Sequence, residues 1–191
     1  MSKTDSKHTI AVCGLPGSFS EVAAREYLSR NDADYKLAYC SSAANVLKAM
    51  RHGAEIGIVP VENTIAGKVG EAEAIPSGAK HIQRLTIPVR HQLMVKPGTA
   101  FESIKRVVSH EQALAQCAAF LKERLLQAEQ VPYADTAQAA KDLAAGTLED
   151  TDAVIASARA ATEYELKILK EHIQDDPENR THFLVFALSH R

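Results

Sequence analysis

Near the end of the chain a threonine stands between two basic residues, Arg180-Thr181-His182, and this is where the residue types offer the most chemistry. The stretch Asn179-Arg180-Thr181-His182-Phe183-Leu184-Val185-Phe186 is apolar and aromatic-rich, and it is entered through the turn-like Asp175-Asp176-Pro177, so it reads as a strand. Successive side chains of a strand point to opposite faces. Thr181 and Phe183 therefore share one face, Arg180 and His182 the other, and a hydroxyl is flanked by two basic groups. The same pattern also fits an edge strand whose charges discourage pairing with other chains.

Other polar groups collect where strands end. The run over 55–61 reads as an apolar strand with Pro60 near its end, and it delivers Glu62-Asn63-Thr64. Three polar side chains there would be costly to bury alone, so they point to a cleft or to mutual hydrogen bonds. A strand over 104–108 ends at Ser109-His110, and the helix expected over 111–126 carries Gln112 and Gln116 on one face. A solvated stripe is the plainer account of those glutamines. Near the N-terminus, Gly14-Leu15-Pro16-Gly17 separates a strand from Ser18-Phe19-Ser20-Glu21, whose S-x-x-E spacing is that of a capping box. Free N–H groups and the helix dipole make this junction suited to an anion, although a tight turn with an ordinary cap has the same spacing. It is neither G-x-G-x-x-G nor a Walker loop, so nucleotide binding gains no support.

The elements that must carry these residues alternate. Strands are expected over 9–13, 35–39, 55–61, 104–108, 130–133 and 152–156, with a long crossover run over 85–95 broken at Pro88. Helices follow most of them, including a small-residue helix from Gly67 to Pro76 and one opened by Asp135-Thr136. Hydroxyls recur where strand gives way to helix: Ser18, Ser41, Ser109, Thr136 and Ser157. This is an α/β pattern, in which strand carboxyl ends line the ligand crevice, and neutral donors there fit a small carboxylate. The composition agrees with a soluble, intracellular protein: 22 Lys+Arg against 24 Asp+Glu give a net charge of -2, and the first nine residues have no apolar core. Nucleic acid and membrane are not expected partners. Cys13, Cys40 and Cys117 have no metal-ligand spacing and read as buried or semi-buried thiols.

Four blocks, in register along the chain, resemble the prephenate dehydratase family. Gly14-Leu15-Pro16-Gly17-Ser18-Phe19-Ser20 is similar to its opening G-P-x-G-(S/T)-(F/Y)-S, and Val59-Pro60-Val61-Glu62-Asn63-Thr64 to its V-P-I-E-N-(S/T). Ser109-His110-Glu111-Gln112-Ala113-Leu114-Ala115-Gln116-Cys117 resembles S-H-x-Q-A-L-x-Q-C, and Asn179-Arg180-Thr181-His182-Phe183 corresponds to N-x-T-R-F. The resemblance implies two α/β lobes around a central cleft, similar to the type II periplasmic-binding-protein architecture. The first lobe would be 1–84 with 176–191, and 85–175 an inserted second. It implies a cytoplasmic, homodimeric lyase that converts prephenate to phenylpyruvate for phenylalanine biosynthesis, with no metal or other cofactor. Thr181, Asn63, Ser109 and Gln116 would be the catalytic residues. Ser18, Phe19, Glu62, Thr64, Thr136, Arg180, His182 and Phe183 would bind substrate.

Two departures qualify what the resemblance implies. His182 stands where the family has arginine, and imidazole does not reproduce a bidentate fork; Arg180, on the same face, would compensate, or a protonated His182 would favour lower pH. The sequence also stops at Arg191, just after the last strand, so no phenylalanine-sensing ACT domain, and no feedback through one, is expected. The alternatives to a dehydratase are a prephenate decarboxylase and a non-catalytic binding homologue of the same fold.

Overall fold

The structure is a computed structural model that describes residues 8–31 and 34–189. The polar N-terminal stretch and the end at Arg191 lie largely outside the described residues. The chain divides into two compact units, Met1–Leu15 with Ser20–Ile87 and Arg180–Arg191, and Pro16–Phe19 with Pro88–Asn179. Each is built on its own sheet.

The first unit holds a six-stranded mixed sheet of β1 (His8–Cys13), β2 (Tyr35–Cys40), β3 (Ile56–Asn63), β4 (Gly67–Lys68), β5 (Lys80–Pro88) and β11 (Arg180–Ala187), numbered in chain order. Its order is β2-β1-β3-β11-β5, with β4 paired to β3. The alternation of β1 sends Ala11 and Cys13 into one cluster with Val46, Leu47 and Met50 of α2 (Ala43–Arg51). Gly57 of β3 is a glycine because α2 and β11 close over it. A Cβ there would lie 2.6 Å from Met50 Sδ and 2.7 Å from the Phe186 ring. α1 (Phe19–Ser29) buries Ala23, Ala24 and Tyr27, and also Glu21. The Glu21 carboxylate accepts from Arg25 Nε at 2.5 Å, which is how a charge tolerates that burial.

Several expectations change here. β3 does not end at Val61 but runs on to Asn63. Its pairing with β11 slips, Thr181 opposite Asn63 and His182 opposite Glu62 but Phe183 opposite Pro60, so Val61 is an extra residue on β3. The bulge accommodates the missing N–H of proline within a strand, and β1 has already left β3 beyond Ile58. The helix expected after Gly67 is instead β4 folding back on β3, then a 3-10 turn over Gly70–Ala74. Gly67 has φ +79°, which β4 needs to turn back. The run over 85–95 divides between β5 and β6 (Gln92–Val95), which belong to different sheets. Cys13 and Cys40, far apart in sequence, are register partners on β1 and β2, and neither is in a disulfide.

The second unit carries a five-stranded sheet, β10-β6-β9-β7-β8, made of β6, β7 (Arg106–Ser109), β8 (Glu129–Pro132), β9 (Asp152–Ala156) and β10 (Lys167–Lys170). Period-2 alternation sorts its apolar residues into two clusters. Leu93, Val107 and Ile155 pack with Leu114 of α3 (Glu111–Gln116), Leu121 of α4 (Ala118–Arg124) and Cys117 between the two helices. Met94, Val108 and Val154 pack with Ala139, Leu143 and Ala160 of α5 (Thr136–Ala144) and α6 (Ala158–Glu163). Both faces of the sheet are thus covered, which is why its central strands read as unbroken apolar runs. The single helix expected over 111–126 is broken at Cys117. There Asp175 inserts: its carboxylate accepts from Ala119 N at 3.1 and 3.2 Å, and its own N–H donates to Gln116 O at 2.7 Å. β10 was not expected from the sequence.

Candidate functional site

In the first unit, the bulged pairing of β3 with β11 sets Asn63 directly across from Thr181. Asn63 Nδ2 donates to Thr181 Oγ1 and to the Arg180 carbonyl, each at 3.0 Å. Its Oδ1 accepts from Ile65 N at 3.0 Å and Ala66 N at 2.9 Å, the turn habit of an asparagine side chain. The side chain is 7% exposed and its orientation is set from both ends. Asn63 occupies a lone pair of Thr181 Oγ1, and the Thr181 hydroxyl donates to no described residue, so its proton is available to a ligand. Thr64 serves the same junction: its Oγ1 accepts from Arg180 N, and its own N–H donates to Arg180 O, both at 2.9 Å.

The neighbouring residues take other partners. The Glu62 carboxylate accepts from Arg84 at 2.7 Å with both side chains about half exposed, an ion pair of little energetic weight. His182 Nδ1 lies 2.9 Å from Thr86 Oγ1 of β5. Phe183, expected to touch substrate, is 1% exposed and belongs to the core, since the strand face it occupies is covered. Two cavities in this unit, about 630 and 1200 Å³, take in none of the expected site residues; the first is lined by Val61, Ile75, His81 and Leu184, the second by Met50, Ile56 and Leu188.

In the second unit, Gln116 ends α3 and its Oε1 accepts from two residues that the sequence did not mark as functional. His91 Nε2 lies at 3.0 Å and Asn179 Nδ2 at 2.9 Å. His91, just before β6, is 3% exposed and packs edge-on to Phe19, with ring centroids 5.6 Å apart. Burial pushes its pKa below the usual histidine value, and the hydrogen bond to Gln116 opposes that only in part. Nothing in its flanking sequence marks it, because it lies in the turn between β5 and β6. Ser109, at the end of β7, is fully buried, and its hydroxyl donates to the Ile155 carbonyl at 2.6 Å. Its proton is therefore committed to the sheet, and the cap of α3 is His110, whose Nδ1 accepts from Gln112 N at 3.2 Å. Thr136 is likewise not a cap: Asp135 accepts from Ala137 N and Gln138 N at the start of α5.

The glycine loop with Ser18 is held by this unit. Ser157 caps α6 and donates to the Gly17 carbonyl at 2.6 Å, and Tyr164 donates to the Pro16 carbonyl at 2.7 Å. Gly17 has φ +82°, and a Cβ would meet Ala160 Cα at 2.8 Å. Gly17→Ala is accordingly expected to lower stability by about 1–3 kcal/mol, read as a lower midpoint in urea, because strain and clash coincide. Ser18 itself is 7% exposed. Burial, reinforced by Asp175, pushes the Cys117 thiol up to about 12, which rules it out as a thiolate nucleophile at neutral pH. Among the described residues no group of three or more His, Cys, Asp and Glu could hold a metal, and no helix is long and apolar enough to cross a membrane.

An asparagine-held threonine with a free proton, on the sheet of one unit, and an oriented glutamine at the end of α3 in the other belong to a mixed α/β protein with two sheets, equipped with neutral hydrogen-bond donors. The chain belongs to the prephenate dehydratase family, whose model, "Prephenate dehydratase", matches residues 10–191. It is 35% identical over 174 residues to a prephenate dehydratase of Methanocaldococcus jannaschii, covering 90% of this chain and 61% of that one. It is 37% identical to arogenate dehydratase 1 of Petunia hybrida, covering 93% of this chain and 42% of that one. A solved prephenate dehydratase from Arthrobacter aurescens, in complex with L-Phe, superposes with a TM-score of 0.83 at 30% identity over 96% of this chain and 60% of that one. The chain thus spans only 61% and 42% of the two curated relatives' lengths.

Proposed function

We propose that this protein is a lyase that converts prephenate to phenylpyruvate, with loss of water and carbon dioxide. The observation that carries the reading is the Thr181 hydroxyl, held by Asn63 with its own proton unclaimed. In this reading Thr181 donates to the departing ring hydroxyl as the C–O bond breaks, the carboxylate leaves as carbon dioxide, and its bonding electrons complete the aromatic ring. Aromatisation makes the step strongly downhill. A threonine is too weak an acid to act alone, so oriented donors that stabilise developing negative charge supply much of the effect. Gln116 is the second catalytic donor, and Ser109 supports it by anchoring the end of β7. Ser18, the backbone N–H of Phe19, Thr136, Arg180 and His182 would bind the substrate's anionic groups, while Glu62 and Thr64 hold the β3 end in place. The reading includes a homodimer acting in the cytoplasm, as the family resemblance implies, and requires no cofactor.

The Petunia relative favours arogenate, the amino analogue, as a second substrate. Incubating the purified protein with prephenate or arogenate at neutral pH and separating products with mass detection decides among the readings. Phenylpyruvate from prephenate is the expected result. Phenylalanine formed from arogenate at much the greater kcat/KM would reassign the substrate, and a non-aromatic decarboxylated acid would make the chain a decarboxylase.

A further inference from the structure

Two donors converge on one oxygen, Gln116 Oε1: His91 Nε2 at 3.0 Å and Asn179 Nδ2 at 2.9 Å. A carbonyl oxygen accepts two N–H groups, whereas an amide nitrogen accepts none. The convergence therefore sets which way the Gln116 amide faces, and its NH2 donates to no described residue. It also requires His91 to carry its proton on Nε2. His91 Nδ1 is buried and without a hydrogen-bond partner among the described residues. With the proton on Nε2 that atom is a bare acceptor; the opposite tautomer would orphan a buried N–H, which folded proteins avoid more strictly than an under-used acceptor.

We propose that His91 is the positioning residue for Gln116, donating through Nε2 so that, together with Asn179, it turns the Gln116 amide nitrogen outward as a hydrogen-bond donor to a carboxylate or hydroxyl oxygen of the substrate. This rests on the dehydratase reading for the identity of the substrate. The imidazole is well placed to hold a fixed direction. Its backbone N–H donates to Gln174 Oε1 at 3.0 Å, its carbonyl accepts from Ile173 N at 3.0 Å, and its ring stands edge-on to Phe19. Burial lowers its pKa and so favours the neutral imidazole.

The test compares His91→Phe, which keeps an aromatic ring beside Phe19 without the N–H, with His91→Gln, which returns an amide N–H near the position of Nε2. His91→Phe is expected to lower kcat about tenfold with little change in KM, the size of one lost hydrogen bond, and His91→Gln to restore kcat to within about threefold. In a Gln116→Ala background, His91→Phe should cost less than about twofold more, since His91 acts only through Gln116. Losses that multiply, or a folded His91→Gln no better than His91→Phe, would overturn the proposal. Nitrogen-15 NMR of the imidazole supplies a reading independent of turnover. Nε2–H is expected, and an Nδ1–H tautomer overturns the proposal whatever the substrate proves to be. Absence of turnover by the wild-type chain, with the Nε2–H signal present, would sink the dehydratase reading alone.

Discussion

Replacing Thr181 by alanine is expected to lower kcat on prephenate by about a hundred- to a thousand-fold, the range found when a single oriented proton or hydrogen-bond donor is removed. The Michaelis constant should move by less than about threefold, because an interaction made chiefly in the transition state shows in kcat and not in ground-state binding. Stability should hardly change: the Thr181 hydroxyl gives its proton to no described residue, so the fold loses one acceptor for Asn63, which keeps its bond to the Arg180 carbonyl. Thr181→Ser keeps the hydroxyl and is expected to retain most of the activity. Stopped assays of phenylpyruvate formation beside urea melts separate the two quantities. A Thr181→Ala enzyme of near wild-type kcat would remove the hydroxyl from the chemistry.

The second large effect is expected at Asn63, and it differs in kind. Asn63 donates twice across to β11 and accepts twice from the turn that follows it, so Asn63→Ala undoes both the aim of Thr181 and the exit of β3. About 2 kcal/mol of stability should be lost, half the sum of four ordinary hydrogen bonds because Ile65 and Ala66 are exposed and water takes up their N–H groups. Activity should fall about a hundredfold beyond any loss from unfolding. Asn63→Asp sharpens the test. A carboxylate keeps the two acceptor contacts but faces the Arg180 carbonyl and Thr181 Oγ1 without a proton, so activity should fall as far as in Asn63→Ala, and the Thr181 hydroxyl is drawn into donating to it. Because the two residues act as one unit, Thr181→Ala in an Asn63→Ala chain should cost far less than in the wild type. Independent, multiplying losses would show that Asn63 works apart from Thr181.

How much of this was legible in the sequence follows from which signals are local. The split of β6, β7 and β9 into two apolar sets is a period-2 pattern, so adjacent residues such as Val107 and Val108 already declare opposite faces. The Ser157 cap of α6 follows from a hydroxyl placed before an apolar helical run and is observed, as is a cap of α2 from the Ser41-Ser42 pair, where the structure assigns it to Ser42. The same reasoning misplaced Ser109 and Thr136, because a hydroxyl beside a helix start can be outcompeted by its neighbour. His110 and Asp135 supply the caps instead. The helix expected after Gly67 and the unbroken helix over 111–126 failed for other reasons. The second was decided by Asp175, a partner that no local window contains, and the first by a tight hairpin that sets Gly67 opposite Asn63 of β3, a local pairing for which the small residues gave no strand signal.

The sequence by itself determined the alternation of strand and helix, the apolar faces, the family to which the chain belongs and the residue types of the site, because each is written in spacing or in short contiguous blocks. Only the tertiary structure decided which hydroxyls keep a usable proton. Thr181 keeps one because Asn63, 118 positions away, comes to it as a donor; Ser109 gives its proton to Ile155, 46 positions away. Tertiary structure likewise brought His91 and Asn179 to one oxygen of Gln116 and left Val61 as the bulge that lets proline sit within a strand. The direction of a hydrogen bond is a property of two partners, and where the partners are distant in the chain no residue carries that information alone.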